Sequence, residues 1–292
     1  ILLRLGLYQM FWLDRIPDHA AVHETVEMAK RLGFGSQAGF LNAVLRGFAR
    51  EKNQTGQLLD DLKIRQPALG FSHPEWLFMR WQRSFGIEQT ARLLAWNNSP
   101  PPTFARVNTL RTEAGKLISQ WREEGVEYDF FQRDWTGENL VFELKAHPPL
   151  AALGSLRQGL FYVQDPSTLL SVHDLNPQPG ERILDLCAAP GGKTSFLAQR
   201  MENRGRIVAQ DMDDKRLALL RDNCARLGVE CLEARQGTTS ESQPEPLFDR
   251  ILLDVPCSNT GVLRRRVDLR WRIREEEIQR LRRIQLDLLR RA

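Results

Sequence analysis

Ile183-Leu184-Asp185-Leu186-Cys187-Ala188-Ala189-Pro190-Gly191-Gly192-Lys193-Thr194 runs from an apolar strand pattern through a turn of small residues into a helix pattern. Small side chains let the backbone come close to a ligand, and the helix that follows offers free N–H groups to a polar or anionic one. Asp211 lies 20 residues beyond Gly191, at the end of the next strand pattern. An acid there can accept hydrogen bonds from two ribose hydroxyls. The order strand, turn, helix, strand, acid predicts a cofactor that contains adenosine.

Outward from this stretch the same alternation continues. Apolar runs at 161–163, 183–187, 207–209 and 251–255, with a weaker one at 231–234, are separated by helical spacing at 194–202 and 214–227. This alternation predicts a doubly wound parallel sheet from about residue 159 onward. Upstream, residues 1–52 carry apolar positions at spacings of three and four, with breaks at Pro17 and between Gly33 and Gly39, and read as a small helical unit. A helical stretch at 76–96 ends in Asn97-Asn98-Ser99-Pro100-Pro101-Pro102, the strongest linker signal in the chain. Its helical spacing makes Trp76, Trp81 and Trp96 expected core residues. Residues 103–149 then offer short strands, near 104–107 and 140–144, around an amphipathic helix at 112–124. That pattern predicts a small α+β module. The expected divisions are 1–55, 56–158 and 159–292.

Composition narrows the classes of function. The 292 residues are 42% hydrophobic and 27% charged, ordinary values for a globular protein, and no apolar run approaches the roughly 18 residues of a membrane span. The 41 Lys and Arg exceed the 37 Asp and Glu by four. The excess is concentrated in residues 261–292, where 11 Arg against 5 acids give +6 and leave −2 for the rest. The four cysteines, Cys187, Cys224, Cys231 and Cys257, have neither disulfide-framework nor zinc spacing, so free thiols, a cytoplasmic location and no metal are expected.

Two cofactors compete for the turn. Gly192-Lys193-Thr194 imitates the end of a phosphate-binding P-loop, and the strand 250–254 imitates one that ends in a magnesium-binding acid. The first P-loop glycine would fall at position 187, where the chain has Cys187, and Pro190 would disturb the phosphate cradle. Neither residue obstructs a thioether cofactor lying across the strand ends.

The run 185–194, followed by Asp254-Val255-Pro256-Cys257-Ser258-Asn259-Thr260-Gly261, resembles the RNA cytosine-C5 methyltransferases that use S-adenosylmethionine. The N-terminal helices resemble the NusB-like RNA-binding domain fused to bacterial small-subunit (16S) rRNA methyltransferases of the Sun/Fmu type. That likeness rests on Gly6-Leu7-Tyr8-Gln9, Arg15-Ile16-Pro17, the run 19–27 and Asn42-Ala43-Val44-Leu45-Arg46, and 162–167 leads into the catalytic part. The resemblance covers nearly the whole chain. It implies an α/β fold: a Rossmann-like S-adenosylmethionine-dependent domain, preceded by the α+β module and an all-α NusB-like segment. Both ends read as interrupted patterns, and the last strands of the family's sheet are expected to be missing.

The resemblance also implies roles. Cys187, Ala188, Ala189, Pro190, Gly191, Gly192 and Lys193 would wrap the methionine and ribose portions of the cofactor, and Asp211 would hold the ribose hydroxyls. Asp254 would face both cofactor and target cytosine and stabilise charge developing at the cytosine N3/N4 edge. Cytosine C5 becomes nucleophilic once a thiolate has added to C6. Cys257 matches the family's Pro-Cys cysteine, which assists product release, whereas the nucleophile belongs to a later Thr-Cys motif that this sequence lacks. Arg264, Arg265 and Arg266, beside that loop, are expected to touch RNA phosphate. Thr238 stands where the family carries an Asp that contacts the adenine amino group, and the family's His-Pro element after the Pro-Cys motif is replaced by Arg266-Val267. The expected partner is small-subunit rRNA, with no membrane, and the chain is expected to be a monomer. The alternative is a noncatalytic RNA-binding protein with a degenerate or incomplete methyltransferase site.

Overall fold

The computed structural model describes residues 1–237 and 247–292, and the chain divides into two compact units, Ile1–Ser99 with Arg266–Arg272 and Pro100–Arg265 with Ile273–Ala292. The first boundary falls inside the Asn-Asn-Ser-Pro-Pro-Pro run, where three prolines can neither continue a helix nor donate backbone hydrogen bonds.

The first unit is helical: α1 (Leu2–Trp12), α2 (Asp18–Arg31), α3 (Ala38–Arg50), α4 (Lys52–Arg65), α5 (Pro67–Gly70) and α6 (Glu75–Asn97). Pro17 fixes the entry to α2, and Met10, Ala21, Val22 and Leu45 form the core that joins α1, α2 and α3. Helix α6 is broken at Gly86, whose φ of 78° is non-helical. The break interrupts the helical spacing, and the expectation that all three tryptophans are core residues fails at Trp96. Trp81 is buried and Trp76 half-buried, but Trp96 is 58% exposed.

The second unit holds two sheets. β1 (Thr103–Val107), β2 (Glu127–Phe131), β3 (Val141–Ala146) and β4 (Phe161–Val163) form an antiparallel sheet in the order β2-β3-β1-β4. The alternation of side chains along β1 serves two cores. Ala105 and Val107 pack with Leu117 and Trp121 of α7 (Ala114–Glu123), while Phe104 joins the core of the second sheet. The short helix α8 (Gly154–Arg157) leads into β4, and α9 (Leu170–Leu175) follows it.

β5 (Arg182–Leu186), α10 (Gly192–Arg200), β6 (Arg206–Asp211), α11 (Asp214–Leu227), β7 (Leu232–Gln236) and β8 (Arg250–Leu253) build the parallel sheet in the order β7-β6-β5-β8. Its core includes Ile183, Phe196, Leu197, Met201, Ile207 and Leu252. After β8, α12 (Leu269–Arg272) belongs to the helical unit and α13 (Glu275–Arg291) to the second unit.

One strand departs from expectation. Phe161–Val163 does not open the parallel sheet. It pairs antiparallel with β1, in the register Ala105↔Val163, Arg106↔Tyr162 and Val107↔Phe161. The turn before it explains why. Gly159 has a φ of +71°, and a β-carbon there would stand 2.0 Å from the Arg226 carbonyl oxygen. Asn108 Nδ2 donates 2.7 Å bonds to both the Gly159 and the Leu227 carbonyls, which ties the antiparallel sheet to the end of α11. The antiparallel module therefore extends past the expected boundary at 158, and residues 56–99 lie with residues 1–55 in the helical unit. Among the described residues no helix is long and apolar enough to cross a membrane.

Candidate active site

The strand order reverses between β5 and β8, since β6 and β7 lie on one side of β5 and β8 on the other. Open α/β sheets bind ligands at such a reversal, outside the carboxyl ends of the strands. A cavity of about 220 Å³ is found there, bounded by Tyr162, Gln164, Asp185, the turn residues Cys187 to Pro190, Gly192, Lys193 and Asp254.

The turn after β5 is held at nearly every residue. Cys187 adopts a left-handed φ of 60°, the Ala189–Pro190 peptide is cis, and Gly191 caps α10 with a φ of 97°. The Ala188 N–H donates to Gln210 O at 2.9 Å and the Ala189 N–H to Asp211 Oδ2 at 3.2 Å. Arg216 donates to Ala189 O at 2.5 Å and Asn223 to Pro190 O at 3.0 Å. A β-carbon at Gly192 would stand 3.1 Å from the Tyr162 ring and 3.2 Å from Gln164 Nε2, so only glycine keeps that approach without displacing the wall of the cavity.

Three carboxyls and one ammonium set the electrostatics. Asp211 ends β6 with its side chain buried. Its Oδ1 accepts the Asp213 N–H at 3.2 Å, and Arg216 lies 3.4 Å from its Oδ2. Asp254, directly after β8, accepts a 2.6 Å bond from Lys193 Nζ, so the lysine of the P-loop look-alike is committed to a carboxylate across the cavity. Asp185 is fully buried, and that burial pushes its carboxyl up to about 7. Thr194 Oγ1 donates to Asp185 Oδ2 at 2.6 Å, while Oδ1 has no partner among the described residues. Sequence reasoning did not single out Asp185 as a site residue, although an acid inside the apolar run Ile-Leu-Asp-Leu was a visible signal.

The remaining candidates lie as follows. Cys257 is the exposed cysteine of the four, on the loop three residues past Asp254, and the Asn259 N–H donates to its sulfur at 3.4 Å. Burial pushes the Cys224 thiol up to about 12, and it also raises Cys187 and Cys231. Arg264 donates to Pro100 O, and Arg265 donates to Pro102 O at 2.5 Å and lies 3.8 Å from Asp165. Both guanidinium groups thus hold the proline run of their own chain. Arg266 is exposed and opens the segment assigned to the helical unit. Thr238 lies outside the described residues. Among the described residues no group of three or more metal-ligating side chains is found.

The turn fits S-adenosylmethionine. Its glycines open the backbone to the ligand, its small residues leave the strand ends clear, and the buried Asp211 carboxylate stands at the end of the adjacent strand. Family models agree with this assignment. That of the 16S rRNA methyltransferase RsmB/F matches residues 172–292, that of the NusB family residues 1–50, and that of the RsmF/B-like ferredoxin-like domain residues 73–136. The chain is 37% identical, over 99% of its length, to a probable ribosomal RNA small subunit methyltransferase B of Bacillus subtilis, and it spans 64% of that relative. Among solved structures it resembles PH0851, with a TM-score of 0.76 and 25% identity over 99% of this chain and 64% of that one. It also resembles a methyltransferase homolog protein from Pyrococcus horikoshii, with a TM-score of 0.58 and 33% identity over 71% of this chain and 65% of that one.

Proposed function

From the likeness to 16S rRNA methyltransferases of the RsmB/F type, we propose that the protein methylates C5 of a cytosine in small-subunit rRNA with S-adenosylmethionine as methyl donor. The observation that carries this reading is the convergence, in one cavity at the strand reversal, of the turn after β5 and the Lys193–Asp254 pair after β8. The cofactor supplies an electrophilic methyl group on its sulfonium. Residues 187–193 would wrap its methionine and ribose portions, and Asp211, oriented by the Ala189 N–H, would accept from the ribose hydroxyls.

Asp254 meets the N3/N4 edge of a cytosine turned out of its stack, as chemistry on a base requires. Lys193 orients the Asp254 carboxylate, and the pair can hold a proton at the ring nitrogen while electron density moves to C5. Cys257, exposed and followed closely by Asn259 and Thr260, assists release of the methylated base. The family's attacking thiol lies in a Thr-Cys motif that this sequence does not contain, so the complete reaction is tested on the full-length gene product.

Calorimetry on this chain tests the cofactor site, with magnesium ATP as the competing ligand. S-adenosylmethionine should bind, Asp211→Ala should weaken it at least tenfold, and ATP should give no heat. ATP binding lost in Lys193→Ala would establish the P-loop reading instead. For the full-length protein, tritium from the labelled methyl donor should enter 16S rRNA and be recovered, after digestion to nucleosides, as 5-methylcytidine. Tritium recovered in another nucleoside would overturn the cytosine-C5 assignment. Failure to label rRNA in a protein that binds the donor would favour the noncatalytic alternative.

A further inference from the structure

Behind the cavity wall lies a buried cation with no anionic partner among the described residues. Arg106 of β1 is 1% exposed, on the face of the strand turned toward α10. Its guanidinium donates to Gln164 Oε1 at 2.7 Å, to Gly192 O at 2.9 Å and to Ser195 Oγ at 2.7 Å. It lies 4.9 Å from the centroid of the Phe196 ring and 5.6 Å from that of Tyr162. None of these partners is a carboxylate. An uncompensated buried charge is costly, and structures keep one where its field or its geometry is used.

The geometry it imposes is specific. A guanidinium can only donate, so Gln164 must turn its oxygen toward Arg106 and its amide nitrogen away. That nitrogen lies over Gly192, on the wall of the cavity, and finds no acceptor among the described residues. The result is a fixed donor with a fixed positive charge behind it, facing the same cavity as Asp185 and Asp254. Asp211, at the end of β6, takes the ribose end of the cofactor. Gly192 and Gln164 line the cavity and Asp211 does not, so a cofactor whose ribose is held at Asp211 would bring its amino-acid end to them. The group at that end able to use both a donor and a positive potential is a carboxylate.

We propose that Gln164 recognises the carboxylate of the bound methyl donor and that Arg106 is the positioning residue that orients its amide and supplies the positive field. This assignment rests on the S-adenosylmethionine reading above and deepens it. The donor is recognised as an α-amino acid by a strand of the antiparallel module as well as by the turn that follows β5.

The test compares S-adenosylmethionine with decarboxylated S-adenosylmethionine, which differs only by the carboxylate, in calorimetric titrations of the wild-type chain, Gln164→Glu and Arg106→Gln. Gln164→Glu is nearly isosteric and pairs with Arg106, so it keeps the fold while presenting an acceptor to the ligand. S-adenosylmethionine should bind it at least tenfold more weakly than wild type, since a charge-assisted hydrogen bond is lost and a like charge takes its place. The decarboxylated ligand should bind it as well as wild type or better. Arg106→Gln, with its folding checked by circular dichroism, should also lose more affinity for the carboxylated ligand than for the decarboxylated one.

Equal losses for both ligands in Gln164→Glu would overturn the assignment of Gln164 and leave the cofactor reading intact. Equal losses in Arg106→Gln, with Gln164→Glu still selective, would overturn the role given to Arg106. A folded wild type that binds neither ligand would overturn the cofactor reading itself. If Arg106→Gln does not fold, the selectivity of Gln164→Glu decides the proposal.

Discussion

Two loops leave the carboxyl ends of neighbouring parallel strands, and they are held in different ways. The turn after β5 is fastened from outside: its backbone N–H groups and carbonyls are met by Gln210, Asp211, Arg216 and Asn223, all from β6 and α11. Beyond Asp254, which Lys193 and the Leu186 carbonyl hold, the loop after β8 is fastened mostly by itself. Asn259 bonds back to Cys257, Ser258 pairs with Thr260, and the tie from α13 is Gln285 Nε2 donating to Pro256 O at 2.8 Å. The first arrangement suits a ligand of constant shape, because a preorganised cradle loses little entropy on binding. The second suits a substrate that must be turned out of an RNA stack and met by a loop able to adjust to it.

The comparison is broken most sharply at the turn. Gly191→Val puts a β-branched residue at a φ of 97° and a β-carbon 3.3 Å from Leu220, so cofactor binding should be lost and the midpoint of thermal unfolding lowered. Retained binding with an unchanged midpoint would show that the turn is less constrained than its bonds imply. Next in size, Asp185→Ala deletes the acceptor of Thr194 Oγ1 and leaves a small void beneath the turn. The expected cost is about 2–4 kcal/mol in urea denaturation.

Asp185 also gives the turn a pH signature. Its carboxyl is raised from the ordinary 3.8 to about 7, so between these values the folded state binds more protons than the unfolded one. The stabilising contribution is complete below about pH 4 and is lost as pH rises through about 7. Wild type should therefore lose stability relative to Asp185→Asn across that window, and parallel stability curves for the two proteins would contradict it.

The loop after β8 should behave oppositely. Cys257→Ser, at an exposed position, should change stability by less than about 0.5 kcal/mol and leave cofactor affinity unchanged. In the full-length protein the same substitution should slow turnover after the first methyl transfer, seen as an initial burst followed by a reduced steady rate. A smaller effect still is expected at the exposed Arg265–Asp165 pair, where Asp165→Asn should shift the unfolding midpoint only marginally.

Much of this site could be read locally. Residues 183–194 announce a strand, a small-residue turn and a helix, and the spacing to Asp211 announces the adjacent strand end, because each feature depends on near neighbours in the chain. Asp254 could be read for the same reason, as the acid that ends an apolar strand. What could not be read locally was pairing. Phe161–Val163 looks like any buried strand, and its place beside β1 was decided by Gly159 and Asn108 meeting the end of α11. The arginines after the Pro-Cys loop read as phosphate contacts, yet Arg264 and Arg265 bond to the carbonyls of Pro100 and Pro102, more than 160 residues away in sequence.

The sequence by itself determined the parallel α/β core and the small-residue turn after β5, because strand periodicity, small-residue turns and helix starts are local properties. The tertiary structure decided which sheet owns β4 and which acid is buried beneath the turn. It also decided that Arg106 and Gln164, 58 residues apart, form one hydrogen-bonded pair at the wall of the cavity. Burial and partner choice depend on what the rest of the chain brings alongside, and no stretch of sequence carries that information alone.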